Sequence, residues 1–340
     1  MIEYDPHHWR SHLFDIKGSM LREIFSRVAV CVVWAVLVVS WDYAGRPAID
    51  GAEVGWTSYP VFGSDRIDEA TSKLQDMYFP PTNNLFVQFA RKYRVSIPLT
   101  GHTLIGAVLG LLLVFRTNAS YDRFWEGRKL WGAIVNDSRN LGRLATTLLT
   151  NDPELLRRFL RWTIVFPWSV RDRLQGARDI ICDTDGLPPA DVKLTEQADH
   201  VPLAVALRMT EQVEVARQRG LVSDIQQSLF DGVISRLVDS LGACERIHNT
   251  PLPFAYMVHL RRALIIFLST LPLAIVRDFG WVTIPATLLI SYVMLGVEEI
   301  GVEIEDPFGT DENNLPLKSL CENIEINLRD LLPVSAETQP

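Results

Sequence analysis

Apolar residues are gathered into four blocks along this chain, and longer polar stretches separate the blocks. They cover residues 24–41 and 97–115 and, as a close pair, most of residues 251–297. Each block has the length that a helix needs to cross the roughly 30 Å hydrocarbon core of a bilayer. The pattern therefore predicts four transmembrane helices.

The polar stretches predict the remaining segments. Residues 1–23 mix polar and large apolar side chains, which is typical of a segment lying at the membrane interface. Residues 42–96 form a long Gly- and Pro-rich connection, which we expect outside the cytoplasm. Residues 116–250 alternate charged and apolar positions at helical spacing and predict a helical cytosolic domain. Residues 298–340 are acidic and predict a cytosolic C-terminal segment.

Local patterns place helices within the predicted cytosolic domain. Asp152 followed by Pro153 is typical of a helix start, because proline fits the first helical turn. Residues 183–201 are rich in Gly, Pro and Asp and predict a break between helices. The positions that predict one buried helix face are Trp131, Ile134, Leu141 and Leu144.

The block at 97–115 carries no formal charge and admits two interpretations. Gly106 and Gly110 form a small-xxx-small pair, which lets another helix approach closely. Ala107, Leu111 and Phe115 recur every four residues and so lie along one stripe. The block is then either a membrane helix packed through its glycines, or a helix whose apolar stripe lines a pore and narrows it.

Composition agrees with an integral membrane protein. Of the 340 residues, 48% are hydrophobic and the mean hydropathy is +0.10, although the polar stretches are long. The net charge of −8 argues against a nucleic-acid partner. The four cysteines lie far apart and form neither a disulfide framework nor a zinc set. We find no nucleophile–base set, phosphate loop or metal cluster, and therefore predict neither an enzyme nor a cofactor.

Basic residues close to the blocks predict the topology. Positively charged residues collect on the cytoplasmic side of membrane helices. Both termini should therefore be cytoplasmic, in a multi-pass protein of the inner cell membrane. The cluster Arg91, Lys92 and Arg94 opposes this, because it would lie outside. The residues that support it are Arg10, Lys17, Arg22 and Arg27 before the first block and Arg116, Arg123, Arg128 and Lys129 after the second.

Three polar segments carry a resemblance to a known family. They are FRTNASYDRFWEGRKLW after the second block, GACERIHNTPLPFAYMVHLRR before the third, and EIEDPFGTDENNLPL after the fourth. In this order the chain resembles the bestrophins, and most closely their prokaryotic branch. The resemblance covers nearly the whole chain except residues 42–96, which are longer than in compact bacterial members.

The resemblance implies an all-α homopentameric channel with one central pore, lined by the second membrane helix. Three bulky apolar residues form a narrow neck in the family, and Ala107, Leu111 and Phe115 occupy those positions here. Alanine makes that end of the neck wider. A second, cytosolic aperture matches Ile225, for which ordinary helix core is the alternative interpretation. An apolar ring offers no ligand to an ion, so it gates by wetting and dewetting.

Charge selection then depends on polar groups elsewhere. Thr100, His102 and Thr103 are candidates for a polar ring at the outer end of the pore. In animal bestrophins an acidic cluster after the PFG element holds an activating calcium. Here Asp311 and Glu312 are only weak candidates, because the next two residues are asparagines and a hard cation prefers carboxylates. The alternative is a structural role for the acidic residues Glu299, Glu303 and Asp306, paired with the basic residues after Phe115.

We therefore expect a channel for monovalent ions that binds copies of itself and membrane lipid. The family implies chloride or other anions, although cation selectivity also occurs in its prokaryotic branch. A secondary transporter of small ions is the alternative function, but it should show inverted repeats or broken helices. Pro272 interrupts the third block, and no corresponding element occurs elsewhere in the chain.

Overall fold

A computed structural model describes residues 21–44, 85, 97–177, 184 and 186–331. All regular structure in these residues is helical. The predicted interfacial segment before residue 21, and nearly all of the predicted connection at 42–96, lie outside the described residues. The α-helices are α1 Leu21–Ala44, α2 Leu99–Leu148, α3 Pro153–Leu174, α4 Pro189–Glu196, α5 Val201–Gln218, α6 Asp224–Asn249, α7 Phe254–Phe279, α8 Thr283–Glu303 and α9 Leu317–Arg329.

Among the described residues, three helical stretches are long and apolar enough to cross a membrane. They are Leu21–Ala44, Leu99–Leu148 and Phe254–Glu303. The third stretch consists of α7 and α8, joined by a short 3₁₀ turn at Gly280–Val282. Gly280 has a φ of +53°, which lies in the left-handed region that glycine adopts without strain.

α7 and α8 run antiparallel. Arg261, early in α7, lies 2.9 Å from Glu298 near the end of α8. At the other end of the pair, Val276 and Ile284 belong to the same apolar cluster. The third apolar stretch is therefore a helical hairpin, as the separation of the third and fourth apolar blocks in the sequence predicts.

The chain divides into two compact units. The core unit contains Phe115–Phe254 and the residues from Ile300 onward, and the apolar unit contains α1, the start of α2 and residues 255–299. The predicted boundary at residue 116 lies close to this division, but α2 continues through it without a break. The acidic C-terminal segment is part of the core unit, because its helix α9 buries Cys321, Ile324 and Leu328 in the same cluster.

The core unit is built around α3. Phe159, Trp162 and Phe166 of this helix are completely buried, and the Phe159 ring meets Phe230 of α6 edge-on at 5.3 Å. The predicted start of α3 is confirmed: the Asp152 side chain accepts a hydrogen bond of 3.0 Å from the Leu155 amide. That hydrogen bond, with a smaller contribution from Arg219, lowers the pKa of the Asp152 carboxyl.

Two further predictions for the core unit can be compared with the structure. Trp131, Ile134 and Leu141 are completely buried and Leu144 is partly buried against the same cluster, which confirms the predicted face of α2. The region at 183–201 was predicted as a break, but α4 occupies residues Pro189–Glu196 within it. The two prolines before Ala190 occupy the N-terminal end of α4, where a missing N–H breaks no helical hydrogen bond.

The apolar unit packs through smaller clusters. Its main cluster joins α1, α2 and the hairpin, and it is centred on Phe267 of α7. The ring of Phe267 lies so close to Gly106 that a Cβ added there would be 3.1 Å from it. The buried members of the cluster are Ile24, Val28, Leu109, Leu264, Phe267, Leu268 and Leu295.

Candidate functional site

The first half of α2 has two contrasting faces. Leu109 and Leu113 are 3% and 2% exposed, because they pack against the rest of the chain. Leu111 and Phe115 are 55% and 58% exposed, and Ala107 is also exposed. The stripe that the sequence assigns to a pore neck therefore lies on the open side of the helix. That this side borders a pore remains a prediction.

The two glycines of the small-xxx-small pair have different surroundings. Gly106 touches the ring of Phe267, so it allows close packing within one chain. A Cβ added to Gly110 would meet nothing within 4 Å. Only Gly106 therefore has the predicted packing role inside the protomer.

The predicted outer polar ring needs a correction at His102. Its side chain is buried, with Nε2 lying 3.2 Å from the Phe267 carbonyl and 3.1 Å from the Thr270 hydroxyl. The imidazole also stacks on Phe267, with ring centres 4.3 Å apart. His102 is nine residues from Leu111, which places it on the opposite side of the helix. It belongs to the packing of the protomer and not to its open face.

The two threonines of the predicted ring lie elsewhere. Thr100 and Thr103 are exposed, and the Thr103 hydroxyl donates a hydrogen bond of 2.9 Å to the Leu99 carbonyl. Thr100 is eleven residues before Leu111, close to three full turns, so it extends the same stripe. The outer polar group on the open face is therefore Thr100, with Thr103 beside it.

The same stripe continues beyond Phe115 as polar residues. Asn118, Asp122 and Lys129 follow Leu111 by seven, eleven and eighteen positions, so each lies within about 20° of it around the helix. All three are exposed. The opposite face, by contrast, buries Arg116, which is 1% exposed. One helix thus presents an apolar and then a polar stripe on the same side.

Ile225 lies at the start of α6. Ser223 caps this helix, and its hydroxyl and the Gln226 side chain form a reciprocal capping box. Ile225 is 77% exposed. The alternative interpretation of Ile225 as ordinary helix core is therefore wrong, and its predicted role at an aperture is untested.

Arg123 joins the three segments that carry the family resemblance, a role that we did not predict. Its guanidinium donates to the carbonyls of Ile247 (2.7 Å) and Thr250 at the end of α6. Its Nε donates to the carbonyl of Glu305, at 2.9 Å. The last carbonyls of a helix lack partners within it, so an arginine there satisfies them. The only sequence signal was the arginine of the FR-N-x-x-Y-x-R-F motif.

The EDPFG element packs against α2 at a glycine. A Cβ added to Gly127 would lie 2.9 Å from Pro307 and 3.1 Å from the ring of Phe308, which is completely buried. Glu305 of this element accepts a hydrogen bond of 3.0 Å from the Leu252 amide and lies 4.0 Å from buried Arg116. The motif residues therefore form a tightly packed junction within the core unit.

The acidic residues proposed for a structural role have several partners. Glu299 lies 2.8 Å from Arg27, and Glu303 accepts a hydrogen bond of 2.7 Å from Asn313. Asp306 lies 3.5 Å from the His248 imidazole. The sequence predicts a pairing with a basic residue after Phe115. Arg116 is such a residue, and it lies 4.0 Å from Glu305, the residue before Asp306.

The loop after the PFG element is organised by an amide. Asn314 is 2% exposed, and the amide orientation that satisfies its neighbours lets the side-chain nitrogen donate to the carbonyls of Glu303 (3.0 Å) and Asp306 (3.2 Å). Its side-chain oxygen accepts from the Asp311 amide at 3.1 Å. Asp311 and Glu312 are exposed. Among the described residues, no group of three or more His, Cys, Asp or Glu side chains is arranged to hold a metal ion.

Comparison with known proteins decides the family. Residues 1–330 match the family model described as bacterial/fungal bestrophin protein. This chain belongs to the bestrophin family. A solved bacterial bestrophin homolog from Klebsiella pneumoniae has 27% sequence identity and a TM-score of 0.72, and the match covers 93% of this chain and all of that one.

Two curated relatives of this bestrophin are similar along nearly their whole length. The voltage-dependent anion channel-forming protein YneE of Escherichia coli K12 is 36% identical, over all of this chain and 95% of its own. The voltage-dependent anion channel-forming protein sll1024 of Synechocystis is also 36% identical, over 96% of this chain and 92% of its own. The chain is therefore a membrane ion channel and not an enzyme.

Proposed function

We propose that this bestrophin forms a homopentamer in which five copies of α2 surround a single pore for monovalent ions. Ala107, Leu111 and Phe115 form the neck of this pore. The observation that carries the proposal is the open apolar stripe on α2, opposite a face that packs within the chain. Because one face of α2 packs within its own protomer, the opposite face is left to contact lipid, water or another subunit.

A pore explains the open stripe of α2 better than lipid contact does. Lipid contact is already provided by other helices, since Phe25 and Val30 of α1 and Ile265 and Ile266 of α7 are each more than 60% exposed. The α2 stripe also has polar ends, with Thr100 before it and Asn118 and Asp122 after it. Such an arrangement suits a short apolar constriction between two aqueous openings, which gates by dewetting.

The membrane topology follows from the helices. In our proposal α1, the first part of α2, α7 and α8 cross the inner membrane, so that four crossings place both termini in the cytoplasm. The antiparallel hairpin of α7 and α8 supports counting two crossings for it. Arg116, Arg123 and Arg128 follow the second crossing, which supports a cytoplasmic position for the core unit.

Five copies of Ile225 form the second constriction in this proposal. Ile225 is 77% exposed at a well-capped helix start, so its side chain is available to meet the same residue of neighbouring copies. For the permeant ion we propose anions such as chloride, since several curated relatives are named as anion channels. The reversal potential in a salt gradient distinguishes anion from cation selectivity.

Leu111→Ala tests the neck. Removing this side chain from a ring of five widens the constriction, so single-channel conductance should rise severalfold while the assembly stays intact. Ile105→Ala is the matched control, because Ile105 is also 55% exposed but lies about 120° away around the helix. Leu109→Ala is the packing control, since it removes a buried side chain and should cost about 2–5 kcal/mol of stability per subunit.

The conductance and the mass are measured on the same preparations. The detergent-solubilised wild type and both surface variants should have the protein mass of five copies. Unchanged conductance in a well-assembled Leu111→Ala channel, or a larger change with Ile105→Ala, would show that another face of α2 borders the pore. A stable monomer would remove the pore altogether, and unitary currents too small for a channel would favour a transporter.

A further inference from the structure

Asp122 differs from the charged residues next to it in having no partner. Arg123 is held by three backbone carbonyls, and Glu126 lies 2.7 Å from Arg246. Asp122 is exposed, and no hydrogen bond or ion pair joins it to another described residue. No other described residue pairs with its carboxylate, which is therefore open to the surroundings of the helix.

The position of Asp122 along α2 relates it to the neck. It follows Leu111 by eleven residues, which returns to the same side of the helix within about 20°. It follows Phe115 by seven residues, or about 10 Å along the axis. α2 is one continuous helix with no proline between these residues, so the stripe is not interrupted.

Distance decides which charge acts on an ion leaving the neck. The other free charge on the stripe is Lys129, fourteen residues or about 21 Å beyond Phe115. The Debye length is about 8 Å at physiological ionic strength, so the field of Lys129 is largely screened at the neck. Asp122 lies near one Debye length, where its field remains appreciable.

We propose that five Asp122 carboxylates form a ring at the cytosolic mouth of the neck and weaken the preference of the pore for anions. This inference rests on the proposed function, since it needs the Leu111 stripe to border the pore. A ring of like charge concentrates counter-ions and repels co-ions at a narrow opening. The carboxylates draw cations to the mouth and restrain the passage of anions. The apolar neck contributes the barrier, and the Asp122 ring lowers the anion-to-cation permeability ratio that the rest of the pore would give.

The test is the anion-to-cation permeability ratio, measured from reversal potentials in a potassium chloride gradient. Asp122→Asn should raise this ratio by about threefold or more, and Asp122→Lys should raise it further. Asp122→Glu should leave it near the wild-type value. The change should shrink at 1 M salt, where the Debye length falls to about 3 Å. An altered fold would not respond to salt in this way.

Asp231→Asn is the matched control. Asp231 is exposed and has no ion-pair partner among the described residues, but it lies on α6 about 120° around the helix from Ile225. Asp231→Asn removes as many negative charges from the assembly as Asp122→Asn does, five in a pentamer. Because these charges lie away from the neck, the permeability ratio should stay at the wild-type value. Lys129→Gln should change the ratio less than Asp122→Asn does, and in the opposite direction.

A variant modified after folding avoids any effect on assembly. Asp122→Cys can be purified as the assembled channel and then treated with thiosulfonates that attach a negative or a positive group. The negative group should restore the wild-type ratio, and the positive group should raise it. Treated wild type controls for the native cysteines, of which Cys244 and Cys321 are buried.

The outcomes separate this inference from the proposed function. An unchanged ratio in Asp122→Asn, together with higher conductance in Leu111→Ala, would overturn the inference and leave the neck in place. Equal effects of Asp122→Asn and Asp231→Asn would also overturn it, because they would show a general surface charge. If Leu111→Ala leaves conductance unchanged in an assembled channel, the neck assignment fails, and the Asp122 ring fails with it.

Discussion

The two units of this bestrophin are stabilised in different ways. The core unit buries Trp131, Trp162 and Phe159 completely, in one continuous apolar cluster. The described part of the apolar unit has three smaller clusters, and large side chains such as Phe25 and Ile266 are 67% and 64% exposed. The core unit contains its own interior, whereas the apolar unit needs lipid or other copies of the chain to cover it. An exposed apolar side chain in the apolar unit therefore faces lipid, the pore or another copy of the chain, whereas one in the core unit, such as Ile225, is less common.

The units also use charge differently. In the apolar unit, Glu298 is 2% exposed and links Arg27 of α1 to Arg261 of α7. In the core unit, the Glu154 ion pairs with Arg157 and Arg158 lie on the surface of one helix. Surface pairs of this kind contribute about 0–1 kcal/mol each, but a buried carboxylate that loses its partners is far more costly. The core unit also has ion pairs between helices, such as that of Asp137 with Arg236, so Glu298 is distinguished by its two arginine partners on different helices.

The largest loss of stability is expected from a substitution in the core unit. Phe230→Ala removes a completely buried ring that packs edge-on against Phe159, and should destabilise the protein by about 3–5 kcal/mol. Ile225→Ala, five residues earlier in α6, should change stability by less than about 0.5 kcal/mol. Thermal unfolding in detergent measures both, and similar losses in the two variants would mean that Ile225 is packed in the assembled protein.

A smaller effect is expected from the glycines of the apolar unit. Gly106→Ala places a methyl group against Phe267 and should cost about 1–3 kcal/mol. Gly110→Ala meets open space within the chain and should be neutral or slightly stabilising there. The comparison is again made by thermal unfolding. If Gly110→Ala proves the more damaging change, that glycine contacts a neighbouring subunit in the assembly.

Calcium is expected to have no effect on the open probability of the channel. The amide of Asn314 already satisfies the carbonyls of Glu303 and Asp306, which would otherwise be free to face a cation. Chelation or addition of micromolar calcium should leave the open probability unchanged in bilayer recordings. Asn314→Asp is the informative variant, since it replaces a donor by a carboxylate. Strong calcium activation of the wild type would contradict this account of the loop.

Helices were predictable from the sequence because their apolar positions recur at a helical period. Their bounds were less predictable, and α2 shows why. The charge of Arg116 marked the end of a membrane block, but the hydrogen bonds of a helix do not depend on hydropathy, so α2 continues to Leu148. Hydropathy placed a boundary close to the division between the two units, at Phe115, but it did not locate the end of the helix.

In the candidate site, features that depend on spacing within one helix were predictable, and features that depend on distant residues were not. The stripe of Leu111 was predictable, because it depends only on spacing within one helix. The position of His102 depends on Phe267 and Thr270, which are more than 160 residues away in the sequence. Arg123 binds backbone carbonyls, and carbonyls leave no mark on side-chain identity. Contacts with side chains far away in the sequence and contacts with backbone carbonyls could be found only in the structure.

The continuity of α2 constrains how this chain can evolve. Inserting one residue between Phe115 and Arg123 would preserve the helix but turn all that follows by about 100°. Asp122 would then leave the side of Leu111. Substitutions can change the width of the neck or the charge after it one position at a time. The number of residues between them has to be inherited unchanged.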